Sequence, residues 1–287
     1  MPDIKLIAMD MDGTLLGKVR GVIPPGNLAA LQEAASRGIH LCFASGRAPD
    51  DVSFHAIDAG LDVHVIALNG GMILHKPLGN VGSSRTLTLD DAQHVYRLIQ
   101  EANLPCAVFC EHEVIVCNPP TYFGTPKLTW GTFMEREGGR TRILRDASKV
   151  TSRLHRVSKL VVTAITEPDE MLPLRQRIED EVPGVEVTSS WVDNIEVNPR
   201  GVNKGSALQM LADSLGIPMS QVMAIGDNDN DLSMLHTAGI GVAMGNATPA
   251  ALSAADYVTL PCQEDGVAAA IRTLAFGEDI SGVHPLS

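Results

Sequence analysis

A chain of 287 residues that is 45% apolar, with 26 glycines and 17 prolines, can bury one large core or two smaller ones, and two domains is the better expectation. Its net charge of -12, with no cluster of lysine and arginine beyond ordinary helix faces, argues against nucleic acid or an anionic membrane surface as a partner. No apolar run approaches the roughly 20 residues that span a bilayer, no basic segment precedes an apolar signal core, and five scattered cysteines do not resemble a secreted disulfide framework, so a soluble, cytoplasmic protein with reduced thiols is expected.

Residues 4–9, IKLIAM, are apolar apart from Lys5 and predict a strand buried on both faces, ending at Asp10. Residues 27–37 put Leu28, Leu31 and Ala35 on one helical stripe, with Asn27 placed to cap the start and Gly38 to close the end. IHLCFA then predicts a second strand stopping at Ser45-Gly46-Arg47, followed by a helix in DDVSFHAIDAG and a strand in VHVIAL. Strand and helix alternate, which favours a parallel sheet with helices on its faces.

After Asn69-Gly70-Gly71 the pattern changes. A helix over 89–102 with Asp90 as cap is followed by AVFCE and EVIVCN around a polar turn at Glu111, His112 and Glu113, the mark of an antiparallel hairpin. Residues 119–149 show no regular pattern. A strand from Lys159 to Thr163, a helix over 169–181 and two strands flanking Trp191 come next. Helix-then-hairpin occurring twice predicts a separate α+β unit, residues 84–194, inserted in an α/β domain made of 1–83 and 195–287. Alternation resumes with NKGSALQMLADSLG, VMAIG, NDLSMLHTAG, GVAM, a helix near Thr248 and YVTL.

In an open parallel sheet, ligands bind beyond the carboxyl ends of the strands. The polar residues collected there are Asp10, Asp12 and Gly13; Ser45, Gly46 and Arg47; Gly226, Asp227, Asn230 and Asp231; and Lys204 at a helix start. Asp10, Asp12 and Asp227 offer hard oxygen ligands suited to a magnesium ion that keeps some waters and accepts a phosphate oxygen. Ser45 with neighbouring amides, Gly46 and Met11 among the contributors, and the Lys204 ammonium would hold the other phosphate oxygens. Asp10 can then attack phosphorus in line to form an aspartyl phosphate, while Asp12 gives a proton to the departing alkoxide and takes one from water.

The stretches MDMDGTL, FASGR, GVNKGSAL and GDNDNDLSM, in this order with an insert between the second and third, resemble the haloacid dehalogenase superfamily, and most closely its Cof-type sugar-phosphate phosphatases; LNGGMIL and GVAMGNA resemble family segments as well. The resemblance implies a Rossmann-like core with a parallel sheet flanked by helices and an inserted α/β cap that selects the substrate. It also implies Asp10 as nucleophile, Asp12 as acid and base, Ser45, Lys204 and Asn230 as phosphate-binding residues and Asp227 as the magnesium carboxylate. Asp12 would then give its backbone oxygen to the metal and keep its carboxylate free for proton transfer.

The expected activity is magnesium-dependent hydrolysis of small phosphorylated metabolites by a monomer or homodimer. The alternatives are a phosphomutase using the same aspartyl phosphate and a non-catalytic phosphometabolite-binding protein. Asp231 either orients Lys204 and the metal waters or caps the helix that follows, and Arg47 either touches substrate or pins the cap. Met234 lies on the apolar stripe of its helix and reads as core. Cys106, Cys110, Cys117 and His112 invite zinc, but the cysteines lack the tight pairs of a structural site. Gly239, Gly241 and Gly245 miss the dinucleotide spacing.

Overall fold

The apolar run that opens the chain is a strand with every residue buried, β1 (Leu6–Met9), inside a nine-stranded sheet. The computed structural model describes residues 3–17, 21–110, 113–117, 141–144, 147–163, 167–189 and 194–286. After β1 come α1 (Pro25–Ser36), β2 (His40–Ala44), α2 (Pro49–Asp58), β3 (His64–Ala67), β4 (Met72–Leu74) and β5 (Val81–Ser84). The next elements are α3 (Leu89–Ala102), β6 (Cys106–Cys110), β7 (Val114–Cys117), β8 (Thr141–Leu144), α4 (Ala147–Thr151), β9 (Val157–Thr163), α5 (Leu172–Glu181), β10 (Val185–Thr188) and β11 (Asn194–Pro199). Then follow α6 (Lys204–Leu215), β12 (Val222–Gly226), α7 (Leu232–Thr237), β13 (Ile240–Ala243), α8 (Pro249–Ala254), β14 (Tyr257–Val258), α9 (Gly266–Ala270) and β15 (His284–Pro285).

These elements form two compact units, Met1–Ser83 with Asn203–Ser287, and Ser84–Val202. The second unit runs past the expected end at 194 because β11 pairs antiparallel with both β9 and β10 and so belongs to their sheet.

The first unit's sheet has the order β15-β14-β13-β12-β1-β2-β3-β4-β5. Neighbours from β14 to β3 are parallel, and antiparallel pairs flank that run at β14–β15 and β3–β4. A parallel interior covered on both faces explains why these strands read as unbroken apolar runs. On one face, Leu208 and Leu211 of α6 and Met234 and Leu235 of α7 pack on Leu6, Ala8, Cys42, Ala44 and Ile66. Because the central strands run the same way, Asp10, Ser45 and Asp227 all emerge at one edge of the sheet.

Two capping expectations change. Asn27 does not cap α1, which already begins at Pro25, a residue with no amide hydrogen to satisfy and a φ suited to a first turn. Asn27 is instead buried, its Nδ2 donating to the Leu15 carbonyl at 3.3 Å and its Oδ1 accepting from the Ala268 amide at 2.9 Å. It ties the loop after β1 to α9. Thr88, and not Asp90, caps α3, its hydroxyl accepting from the Asp91 amide at 3.1 Å from the position just before the first helical residue. The helices expected over 169–181 and 230–239 each open as a 3-10 turn, Pro168–Met171 and Asp229–Asp231, before α5 and α7 proper.

The second unit is a six-stranded sheet in the order β10-β11-β9-β6-β7-β8. Val95 and Ile99 of α3 and Leu174 and Ile178 of α5 join Val108, Leu160, Val162, Ile195 and Val197 in its core. Strand alternation sends Lys159 and Glu196 to the opposite face, where they form a buried ion pair at 2.8 Å. Cys106 and Cys117 are cross-strand partners within the apolar core, and a hydrogen bond to Cys117, with burial, holds the Cys106 thiol well above its ordinary range. A protonated thiol among apolar side chains is a poor zinc ligand. His112, Trp191 and most of the irregular stretch 119–149 lie outside the described residues. Among the described residues, no helix is long and apolar enough to cross a membrane.

Candidate active site

Every residue expected in the phosphate and magnesium site lies in the first unit. β1 hands over to Asp10, whose amide donates to the Ile225 carbonyl of β12 at 3.0 Å and so keeps it in line with the sheet. α6 starts behind a capping box formed by Asn203 and Ser206. That cap places Lys204 at the first helical position, fully buried, with Nζ donating to Asp10 Oδ1 at 2.5 Å and to Asp231 Oδ1 at 2.6 Å. The other oxygen of Asp231 accepts from the amides of Asp227 at 2.9 Å and Asn228 at 3.0 Å. Asp231 therefore serves both expected purposes, holding Lys204 with one oxygen and closing the capping box of the 3-10 turn that opens the following helix with the other. None of its bonds goes to an amide of α7 itself. A Cβ at Gly226 would come within 2.6 Å of the Asp231 Cβ, so a glycine there lets the side chain fold back.

Asp227 is fixed from the opposite direction. Thr14 Oγ1 donates to its Oδ1 at 2.7 Å. Gly13, at φ +87, brings the backbone so close that a Cβ would lie 2.3 Å from Asp227 Oδ2. The result is one carboxylate oxygen from each of Asp10, Asp227 and Asp231 within 4.8 Å of one another.

Three carboxylates here meet one ammonium. Burial raises Asp10 well above the ordinary carboxylate range; Lys204 opposes the rise, and Asp231, Asp227 and Asp12 add to it. Asp227 is pushed up to about 7, by burial and then by Asp231, against the Thr14 hydrogen bond and Lys204. Burial works against the charge on Lys204, but Asp10 and Asp231 outweigh it and hold the ammonium above its usual range. The excess negative charge and the all-oxygen donor set fit a hard divalent cation.

With this geometry in place, comparison with known proteins is decisive. Residues 7–271 match the haloacid dehalogenase-like hydrolase family. The chain is a haloacid dehalogenase-like hydrolase. It is 32% identical over 271 residues to the 5-amino-6-(5-phospho-D-ribitylamino)uracil phosphatase YcsE of Bacillus subtilis, covering 94% of this chain and 95% of that protein. To the pyridoxal phosphate phosphatase YbhA of Escherichia coli it is 27% identical over 268 residues, covering 92% and 96%. The structure of a haloacid dehalogenase-like hydrolase from B. subtilis superposes with a TM-score of 0.80 at 27% identity, covering 94% of this chain and all of that one, 100%.

In this hydrolase the Asp12 carboxylate is not part of the carboxylate cluster. Arg47 holds it in a bidentate pair, Nε to Oδ2 at 2.6 Å and Nη2 to Oδ1 at 2.5 Å. Nη1 of the same guanidinium donates to Asp51 at 2.8 Å and meets His55 at 3.1 Å, so Arg47 is locked between Asp12 and α2. Ser45, almost fully buried, accepts the Arg47 amide on Oγ at 3.2 Å, and its carbonyl accepts the Asn69 amide at 3.0 Å. Asn69 sits at φ 56, a left-handed conformation that asparagine tolerates, and its Oδ1 accepts from Asn230 Nδ2 at 3.2 Å. Gly46 is half-buried between Ser45 and Arg47. The Met11 side chain is buried, while its carbonyl accepts the amides of Thr14 and Leu16 and turns the chain after Asp10.

The residues expected from sequence thus fall into three groups: Asp10 with Lys204, Asp227 and Asp231; Asp12 with Arg47; and Ser45 with Asn230 through Asn69. Thr14, Asn69 and Asn246 were not singled out. Asn246 Nδ2 donates to the Gly13 carbonyl at 2.9 Å, and its Oδ1 accepts from the Cys262 amide at 2.8 Å, which braces the turn beneath Asp227. Each lies inside a family-like stretch, DGTL, LNGG or GNA, and a polar residue within such a turn was the available signal.

Proposed function

We propose that this phosphatase hydrolyses small phosphate monoesters, sugar phosphates and similar phosphometabolites, through an aspartyl phosphate on Asp10 with Mg2+ as cofactor. The observation that carries the reading is the buried Lys204 clamped between Asp10 and Asp231 beside a further carboxylate, Asp227. That is a strongly polarised anion and cation site at the carboxyl edge of a parallel sheet. The named relatives act on phosphorylated small molecules, which supports the substrate class. Free, scattered cysteines agree with a cytoplasmic setting.

Asp10 and Asp227, with the main-chain carbonyl of Asp12, would hold the magnesium ion; when bound it neutralises carboxylate and phosphate charge together. Asp231 is a weaker candidate ligand, since both of its oxygens already accept hydrogen bonds. Lys204, Ser45 and Asn230, with the amides of Met11 and Gly46, bind the phosphate oxygens. An Asp10 oxygen attacks phosphorus in line as the ester P–O bond breaks, and the departing alkoxide takes its proton from Asp12. Asp12 then takes a proton from the water that attacks the aspartyl phosphate, releasing inorganic phosphate and restoring Asp10. To do so its carboxylate turns from the Arg47 guanidinium toward the leaving oxygen. The inserted unit, residues 84–202, is assigned the choice of substrate.

The test is phosphate release from a panel of phosphorylated metabolites with and without Mg2+, for the parent, Asp10→Asn and Asp12→Asn. Asp10→Asn is expected to lose turnover with an unchanged circular dichroism spectrum, and Asp12→Asn to accumulate acid-stable phosphoenzyme on rapid quench. Unchanged turnover in Asp10→Asn rules out the covalent route.

A further inference from the structure

At the opposite edge of the first unit's sheet, three histidines distant in sequence converge. His40 opens β2, His64 opens β3, and His75 follows the last residue of β4. The strand register decides that they share a face. Cys42 pairs with His64 across the parallel strands, so His40, two residues before Cys42, lies on the same side as His64. Val65 pairs with Leu74 across the antiparallel strands, which brings His75 opposite His64. His40 Nδ1 and His64 Nε2 stand 3.2 Å apart, their ring centroids are 5.4 Å apart, and the His75 ring meets that of His64 edge-on at 5.7 Å. His64 is half-buried, whereas His40 and His75 are exposed and open to solvent.

Two imidazole nitrogens bound to one tetrahedral zinc at about 2.0–2.1 Å stand about 3.3 Å apart. His40 Nδ1 and His64 Nε2 share a hydrogen bond at 3.2 Å, close to the separation of a chelating pair, so a metal ion would take the place of the shared proton. Imidazole nitrogen selects zinc, nickel, copper and cobalt over magnesium, whose preference is for oxygen. His75, exposed and edge-on to His64, lies outside bonding range as it stands and is the candidate third ligand. We propose that His40, His64 and His75 form a binding site for a divalent transition-metal ion of the zinc, nickel, copper and cobalt class, separate from the carboxylate site of Asp10 and Asp227.

The test uses the full chain, stripped of metal and then supplied with excess Mg2+ to occupy the carboxylates, and titrates it with Zn2+ by calorimetry and with Co2+ by visible absorption. The parent is expected to bind one equivalent with a Co2+ spectrum of nitrogen ligation, and Asp227→Asn is expected to keep that equivalent. His40→Ala and His64→Gln are expected to weaken it at least about tenfold, and His75→Ala less, all with Mg2+-dependent phosphate release at the parent level. His40 is exposed, so its variant tests the site even if His64→Gln folds poorly. Parent-level affinity in His40→Ala, or the absence of any equivalent that survives Asp227→Asn, overturns the proposal. Because the readout is metal binding, its failure leaves the phosphatase reading untouched.

Discussion

Replacing Lys204 by methionine preserves the length of the side chain but removes the one ammonium between two buried carboxylates. Lys204 donates to Asp10 at 2.5 Å and Asp231 at 2.6 Å, and none of the three is more than 6% exposed. Deleting one partner of a buried pair costs about 3–5 kcal/mol, because the other charge remains uncompensated. The site has one escape, which is to take up a proton. Holding a carboxyl protonated at about pH 7, when its ordinary value is near 4, costs about 4 kcal/mol, and this bounds the loss for the first carboxylate. A carboxylate raised in the folded state binds its proton there before the unfolded chain does, so stability rises as pH falls from the folded value toward about 4. Lowering the pH from about 7 to about 5.5 therefore returns at most about 2 kcal/mol of the deficit, less what the parent gains from Asp10, which is already raised with Lys204 in place. The assay is urea denaturation followed by circular dichroism, in EDTA, for parent and Lys204→Met at both pH values. A variant within about 1 kcal/mol of the parent at the higher pH, or a deficit that does not shrink at the lower one, refutes the reasoning.

Gly13→Ala drives a Cβ to within 2.3 Å of Asp227 Oδ2 at a φ of +87, so the carboxylate must retreat; the Mg2+ concentration for half-maximal phosphate release is expected to rise several-fold, and an unchanged Mg2+ titration contradicts the close approach. Asp227 is pushed up to about 7, so metal must displace a proton below that pH. The Mg2+ requirement is accordingly expected to rise up to about tenfold per unit of falling pH below 7 and to level off above it, and a flat profile from about pH 6 to 8 counts against the assigned burial.

Much of the first unit was legible because its strands are buried on both faces, and continuous apolar runs ending in Asp10, Ser45 and Gly226 can be read without partners. The antiparallel edge was not: β4 and β5 are three and four residues long, β5 is half exposed, and neither repeats a pattern long enough to register. Sequence alone does not separate two capping candidates that stand close together. Asp90 lies inside the first turn of α3 and Thr88 just before it, and only the latter reaches an unsatisfied amide. Local spacing makes Asn27 a helix cap, although its amide is a buried bridge whose partners, Leu15 and Ala268, give no local signal.

The candidate site divides along the same line. Four short stretches, DMDGT, ASGR, NKGS and GDNDND, carry the residue types for phosphate chemistry in their covalent order, and that much the sequence determines by itself. Which oxygen meets which nitrogen is a different matter: Lys204 between Asp10 and Asp231, Arg47 on Asp12, and Asn230 on Asn69 are decided by strand order, register and rotamer. The three histidines show the separation most clearly, since positions 40, 64 and 75 share no local pattern. Periodicity and end signals act between near neighbours along the chain, whereas these contacts join residues whose proximity exists only after the sheet has assembled.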